Sequence, residues 1–464
     1  MSEFFGSVWW MLVTLGLLVT FHEFGHFWVA RRLGVKVLRF SVGFGKPLFK
    51  IVGRDPDRTE YVIAYIPLGG YVRMLDERDG TVPVADLPRA FGRRPHWQRI
   101  AVLLAGPAAN ILFAVIVLWG MYWSEGVDIV RPVVEQVSVS SPAAQAGLRP
   151  QDEILSIDGT RTPDKGDVLL GLLDAMSDDG EAVFHVRGRD GRERNVTLAI
   201  PDPDLRLQLT EPDVMFLGLG FHFWQPRLPA AIGGVIPEGA AANAGLQAGD
   251  EIVAIDDSPI RSWDEFTDYV NARPAQTLIF TIRRDGNTLQ KPVVTSRDTV
   301  VGRTIGRIRV EPVTSGQQVE IPEELRSHMD LGPMAALNYS VFKSWQMTVA
   351  QGKFFVRMLQ KKVSSKNVSG ILSIAKYSGD AVRAGPFSFL MLLVLLSLSL
   401  GFLNLLPIPI LDGGNIVFQL IEWAKGAPLS DRTYFVGQQA GLLLLVLLMG
   451  LALFNDLSGM LARS

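Results

Sequence analysis

The stretch "VTFHEFGHFWVA" (residues 19–30) closes a run, residues 4–21, that contains no charged side chain. Ionisable groups inside a membrane-spanning segment are costly and mark function by default. His22 and His26 are four residues apart, so on a helix their rings share one face and can reach one ion. Zinc takes ligand nitrogens at about 2.0–2.1 Å in tetrahedral geometry, and a catalytic site keeps one position for water. Glu23, next to His22, stands where it can take the proton from that water as it attacks a carbonyl. The chain has only 6 histidines, and two fall at this spacing in an apolar span, which outweighs the reading of histidines bonded between helices.

Two histidines leave one protein ligand to find. There is no cysteine, which excludes disulfides, thiolate metal sites and a cysteine nucleophile and leaves histidine and carboxylate. Among the other apolar spans only the end of the third offers a carboxylate, Asp412 in "LNLLPIPILDGGN" (residues 403–415). Pro407 and Pro409 break the helix there and free backbone groups for other partners. Asn404 is a second polar group without a structural need. The alternative is that Asp412 caps a following helix, since Asp before Gly-Gly also marks turns.

At 464 residues the chain is too long for one ordinary domain, and its net charge of −2 gives no reason to expect nucleic acid. Very apolar stretches flank a water-soluble middle. Residues 4–30, 100–123, 386–411 and 433–454 are each long enough to cross a bilayer, which needs about 20 apolar residues. The first lacks a basic leader, and Arg31-Arg32 follow where a signal-peptide cleavage site would be, so it reads as a retained span. Basic residues crowd the first connection, which places it in the cytoplasm. Four crossings then put both termini and residues 126–385 outside, in the periplasm of a Gram-negative inner membrane.

That exported middle repeats itself. "AQAGLRPQDEILSIDGT" (residues 144–160) matches "ANAGLQAGDEIVAIDDS" (residues 242–258) at a spacing of 98, the mark of a duplicated domain. The pattern resembles PDZ domains, which bind peptide C-termini by strand addition beside a glycine-rich loop. Candidate loops are "FLGLGFHF" (residues 216–223), with Leu217, Gly218, Leu219 and Gly220, and "RTIGRIRV" (residues 303–310), with Ile305 and Gly306. A glycine-containing strand edge without ligand is the alternative for both.

On the cytoplasmic side "VLRFSVGFGKPLFK" and "TEYVIAYIPLGGYVRM" read as strands with turns at Gly43 and Gly45. They follow the histidines closely, so a hairpin folding back toward them would hold an extended substrate at its edge or merely seal the site. Residues 4–21 rise about 27 Å at 1.5 Å per residue, which puts the metal inside the lipid, nearer the cytoplasm. A peptide bond at that depth belongs to another protein's transmembrane segment, which must unwind locally before water can attack. Between residues 331 and 385 the pattern becomes helical and amphipathic, as for helices along a membrane surface.

With "HEFGH", "NLLPIPILDG" and the tandem repeat in view, together with "GFGK", "YIPLGGYVRMLDE" and "GPAAN" (residues 106–110), the chain resembles the site-2 intramembrane zinc metalloproteases in their bacterial form with tandem PDZ domains. The resemblance covers essentially the whole chain. It implies Zn2+ bound by His22, His26 and Asp412, with Glu23 as general base, a membrane-re-entrant hairpin, and Asn404 in contact with substrate. It also implies a single-pass anti-sigma factor, already trimmed by a first periplasmic (site-1) cleavage, as substrate, with remnant signal peptides as a further class. The PDZ pair would filter out untrimmed proteins. Ser399 and Ile371 depart from the family pattern, which touches substrate preference and helix placement but not the zinc set.

The expected fold is a multi-domain α-helical membrane protein with four transmembrane helices, a membrane-re-entrant β-hairpin and two periplasmic α+β PDZ domains. The expected parts are 1–34 (first span), 35–97 (re-entrant β region), 98–125 (second span), 126–221 and 222–315 (PDZ domains), 316–385 (surface helices), 386–414 (third span), 415–432 (cytoplasmic loop) and 433–456 (fourth span). A non-catalytic membrane PDZ scaffold is the competing function. A metal transporter is disfavoured, because spans two and four carry no ionisable residue to form a path.

Overall fold

The computed structural model describes residues 2–211, 214–224, 228–236, 239–300, 303–313 and 322–463. The expected boundary between the second repeat and the surface helices, at residues 315–316, lies outside them. The chain folds as two compact units, residues 1–127, 330–355 and 369–454 in one and residues 128–329, 356–368 and 455–464 in the other. Among the described residues four helical segments are long and apolar enough to cross a membrane: Phe5–Arg32, His96–Glu125, Pro386–Asn404 and Arg432–Ser458.

The first unit opens with helix α1 (Ser2–Arg32), strands β1 (Val37–Val52) and β2 (Glu60–Met74), and helix α2 (His96–Glu125). Both strands are bent, so the pair makes a narrow sheet of four segments. Phe40, Ser41 and Val42 have Val72, Tyr71 and Gly70 on one flank and Tyr61, Val62 and Ile63 on the other, while Phe49–Val52 pair with Ile63–Glu60. The bend in β1 falls at Gly43 (φ 92°) and Gly45 (φ 89°), a left-handed backbone that only glycine adopts freely. Phe44, Phe49, Ile51, Ile63, Tyr65 and Ile66 are exposed on this sheet, an apolar surface suited to lipid.

Strand β3 (Val127–Val130) begins at the last residue of the first segment, and the second unit then carries two copies of one motif. The first copy runs β4 (Val134–Val137), α3 (Pro142–Ala146), β5 (Glu153–Ile157), β6 (Thr160–Arg161), α4 (Lys165–Ser177), β7 (Glu181–Arg187), β8 (Glu193–Ala199), α5 (Pro203–Leu209), α6 (Met215–Leu219) and β9 (Phe221–Phe223). The second runs β10 (Ile232–Val235), α7 (Ala240–Asn243), β11 (Glu251–Ile255), β12 (Ser258–Pro259), α8 (Trp263–Asn271), β13 (Thr277–Arg284), β14 (Asn287–Val294), β15 (Ser296–Val300), β16 (Arg303–Arg307) and β17 (Val310–Pro312), with β18 (Arg326–Met329) beyond. Each has a four-stranded sheet, β6-β5-β7-β8 or β12-β11-β13-β14, and a two-stranded one, β4-β9 or β10-β17.

The repeated residues explain the repeated form. Asp158 and Asp256 sit at φ 48° and 47° in equivalent turns and accept the backbone N–H of Val183 and Ile279 at 2.9 and 2.7 Å. Asp152 and Asp250 are buried, each held bidentate by an arginine, Arg194 or Arg284. Each copy closes its own core, around Phe184 and Phe221 in the first and Phe266 and Phe280 in the second. The first copy reaches Phe223 rather than ending at residue 221, because β9 is needed to pair with β4.

Helix α9 (Pro333–Leu359) follows, and in the second unit the chain beyond it is tied to the end of α5, where Ser364 N–H donates to Thr210 Oγ1 and Lys366 pairs with Glu211 at 2.7 Å. The first unit is completed by α10 (Ile371–Ala384), α11 (Pro386–Asn404), α12 (Asp412–Lys425) and α13 (Asp431–Arg463) as far as residue 454. Two expectations are corrected here. The third apolar helix ends at Asn404 rather than Leu411, because Pro407 and Pro409 cannot continue it. The region expected to be loop from residue 415 is helical as far as Lys425, where Gly426 in left-handed conformation (φ 69°) stops it.

Candidate metal centre

Helix α2 is the hub of the first unit, touching α1, α11 and α12. Small residues set how close α1 comes. A Cβ on Gly25 would strike the Ala105 carbonyl, and a Cβ on Gly106 would strike the rings of His26 and His22. Such small-residue contacts are how helices pack where burial from water offers no driving force. They bring the histidine face of α1 flat against α2.

Asp412 arrives from the other end of the chain. After α11 the backbone turns through Leu405–Leu411 and folds over the first turn of α12. Side chains on Gly413 and Gly414 would collide with the carbonyls of Leu405 and Ile408. Leu411 is the N-cap residue and no side-chain cap bond forms, so Asp412 does not serve as the helix cap. Instead its Oδ2 lies 3.2 Å from His22 Nε2 and 3.4 Å from His26 Nε2, and those two nitrogens are 3.2 Å apart.

This triangle fits a metal. Ligands at about 2.0–2.1 Å from a tetrahedral zinc stand about 3.3–3.4 Å from one another, close to the three observed edges. Asp412 Oδ2 is buried without a hydrogen-bond donor, which a carboxylate tolerates only with a charge or ion to satisfy it. The His–His–Asp set is the one group among the described residues whose ligand atoms converge in this way.

The surroundings orient the set. His26 Nδ1 lies 2.8 Å from the Val102 carbonyl oxygen, which can accept its proton and leave Nε2 free as a ligand. Glu23, on the same helix, faces the backbone N–H of Val72, and Gly70 of β2 passes so close that a Cβ there would stand 3.1 Å from Glu23 Cγ. The β1–β2 sheet therefore sits directly on the glutamate.

The other candidate residues fall differently. Asn404 is the half-buried last residue of α11 and makes no hydrogen bond to the triad among the described residues. Gly43 and Gly45 lie at the bend of β1, and the adjoining Phe40–Val42 segment is flanked on both sides, so the free edges of the sheet lie elsewhere. In the repeats, Leu217, Gly218 and Leu219 are helical in α6 and Gly220 (φ 77°) ends that helix, while Ile305 and Gly306 are strand residues of β16 paired with Asp298 and Arg297. The positional counterpart of Gly220 is Arg309 (φ 62°): Ser138 donates to the Gly220 carbonyl as Ile236 does to that of Arg309. The two segments differ because the first copy inserts helices before its last strand and the second inserts a hairpin.

Sequence reading supplied the triad and Glu23 but assigned no part to Val102, Gly106, Asn110, Gly70 or Val72. The "GPAAN" motif held two of these in plain view. Their roles depend on which helix lies behind the histidines.

Two histidines and an aspartate converging beside a glutamate, on helices suited to lipid, describe a metal-dependent hydrolase built within the membrane. Comparison with known proteins makes the assignment: the chain belongs to peptidase family M50, whose model matches residues 10–448. It is 40% identical over 449 residues to the Regulator of sigma-E protease RseP of Escherichia coli, covering 96% of this chain and 97% of that protein. The Protease RseP of Yersinia pestis is 39% identical, covering 97% of this chain and 99% of that protein. A Xylella fastidiosa protein whose name carries the words "zinc metalloprotease" is 39% identical over 99% of this chain and 100% of its own length. Among solved structures, the PDZ domain of an SdrC-like protein from Listeria monocytogenes covers 20% of this chain and 93% of that domain's, at 22% identity and a TM-score of 0.17. The chain is thus a membrane metalloprotease rather than a non-catalytic scaffold.

Proposed function

We propose that the chain hydrolyses a peptide bond within the transmembrane segment of single-pass proteins, with zinc held by His22, His26 and Asp412. The observation that carries this reading is the triangle of ligand atoms with edges of 3.2, 3.2 and 3.4 Å around a buried carboxylate oxygen that has no donor. Zinc supplies Lewis-acid chemistry there, polarising a carbonyl and acidifying water. Glu23 takes the proton from the attacking water and hands it to the departing amine. The β1–β2 sheet, seated on Glu23 through Gly70 and Val72, receives the unwound substrate strand, with the bend at Gly43 and Gly45 shaping its edge and Asn404 approaching it from α11. Strand addition satisfies backbone groups that the substrate frees on unwinding.

The Escherichia coli relative is named for the regulation of sigma-E, which supports a periplasmically trimmed anti-sigma factor as substrate, with remnant signal peptides as a second class. The basic first connection supports an inner-membrane placement with the repeats periplasmic. The two repeats are read as tandem PDZ domains, spanning 126–223 and from 228 to about 313. They select trimmed proteins or their new C-termini through the segments ending at Gly220 in one and at its counterpart Arg309 in the other.

The test is reconstitution of the full chain with a single-pass reporter. Glu23→Gln should retain stoichiometric zinc and lose cleavage, and a chelator should stop the wild-type reaction. Cleavage by Glu23→Gln at the wild-type rate would remove Glu23 from the mechanism.

A further inference from the structure

Asn110 is fully buried on α2, and the lipid side offers no reason to place an amide there. Its side-chain nitrogen lies 3.3 Å from His22 Nδ1, and its side-chain oxygen has no partner. Its backbone carbonyl accepts from Ser397 Oγ of α11 at 2.8 Å, which pins this point of α2 from the far side. Val102, Gly106 and Asn110 follow one another at steps of four, so they share the α2 face that backs the histidines. On that face Val102 meets His26, Gly106 gives room to both rings, and Asn110 meets His22.

We propose that Asn110 is the positioning residue for His22: its side-chain oxygen accepts the Nδ1 proton and thereby points the Nε2 lone pair at the metal. The two ends of a primary amide have the same shape, so hydrogen bonding decides which end faces the ring. With the nitrogen facing Nδ1, the ring proton must sit on Nε2, which then donates toward Asp412 Oδ2 or His26 Nε2, each 3.2 Å away, and offers no lone pair to a metal, while the amide oxygen stays orphaned. Turning the amide over gives the oxygen a donor and makes His22 a ligand. Asn110 then does for His22 what the Val102 carbonyl does for His26. A backbone carbonyl serves one ring and a side chain the other, so only the second can be removed by mutation. Partners of this kind typically change metal affinity by about 10–100-fold.

The inference rests on the zinc reading above, and its test separates the two. Zinc affinity is measured by chelator competition on the purified full chain, with the visible spectrum of the cobalt-substituted protein and the thermal midpoint of the metal-free protein alongside. Asn110→Leu, similar in size but without an acceptor, should bind zinc about 10–100-fold more weakly and alter the cobalt spectrum. Its metal-free midpoint should not fall. Asn110→Asp, which keeps the accepting oxygen, should restore affinity to within a few-fold. Asn110→Ala, which fits any backbone that holds Asn, should behave as Leu and covers the case in which Leu fails to fold. Wild-type affinity in Leu and Ala, or an Asp variant as weak as Leu, overturns the role of Asn110. A wild-type protein that binds no zinc overturns the metal reading and this inference with it.

Discussion

Oδ2 of Asp412 stands 3.2 Å from Nε2 of His22, although the two residues come from helices near opposite ends of the chain. What joins them is the turn over Leu405–Leu411, folded so tightly on the first turn of α12 that only glycine fits at positions 413 and 414. The carboxylate is delivered by backbone shape rather than by a long side chain, and this makes it both rigid and vulnerable.

Asp412→Ala should abolish stoichiometric zinc binding, because two imidazoles and water make a poor site for a metal that prefers a third protein ligand. Metal analysis of the purified variant reads this directly. The four apolar helices should persist by circular dichroism, since Asp412 makes no cap bond.

Gly106→Ala adds one methyl group where the His26 and His22 rings already lie. Overpacking of this kind costs about 1–3 kcal/mol. The expected result is a lower thermal midpoint together with a loss of zinc, because the rings are displaced from the cluster. Full zinc occupancy would show that α1 can shift along α2 without cost to the site.

Glu422 anchors the other end of α12. It is almost completely buried, 3.4 Å from Arg99 on α2, and accepts the backbone N–H of Leu429 at 3.0 Å. Removing one member of a buried ion pair leaves the other uncompensated and costs about 3–5 kcal/mol. Glu422→Ala should therefore destabilise the protein by about 3 kcal/mol and lower zinc occupancy, since α12 carries Asp412. A thermal melt with parallel metal analysis measures both.

Acid should loosen the second repeat through Asp250. Burial pushes this carboxyl up, but the Arg284 guanidinium and the Gln247 N–H outweigh it and hold the carboxyl below the usual carboxylate range. A group depressed on folding contributes stability above its unfolded value of about 3.9, and that contribution is lost as pH falls through the folded value. Thermal unfolding between pH 7 and pH 3 should show wild type losing more of its midpoint than Asp250→Asn. Asp250→Asn should be the less stable protein at pH 7. Parallel curves would show that Asp250 is not the titrating group.

Much of this was legible in the residues. Histidines four apart in an apolar run announce an ion on one helix face, because helical periodicity is local and the lipid makes such groups conspicuous. Pro407 and Pro409 announced a break, although the length of the apolar run hid where the helix stops. The repeat at a spacing of 98 announced two similar domains. Its final segments misled, because the inserted helices in one copy and the inserted hairpin in the other shift the counterpart of Gly220 from Gly306 to Arg309. The bend in β1 was foreseen at Gly43 and Gly45, but not that both flanks of Phe40–Val42 would be occupied.

By itself the sequence determined which side chains could bind a metal, since histidine, carboxylate and glutamate chemistry and the four-residue step are properties of the chain alone. Only the tertiary structure decided that Asp412 faces the histidines instead of capping a helix, that α2 rather than α11 backs their rings, and that Gly70 presses on Glu23. Those facts depend on close approach between distant segments, where a missing methyl group or a carbonyl in the way selects the packing, and no local pattern encodes such a distance.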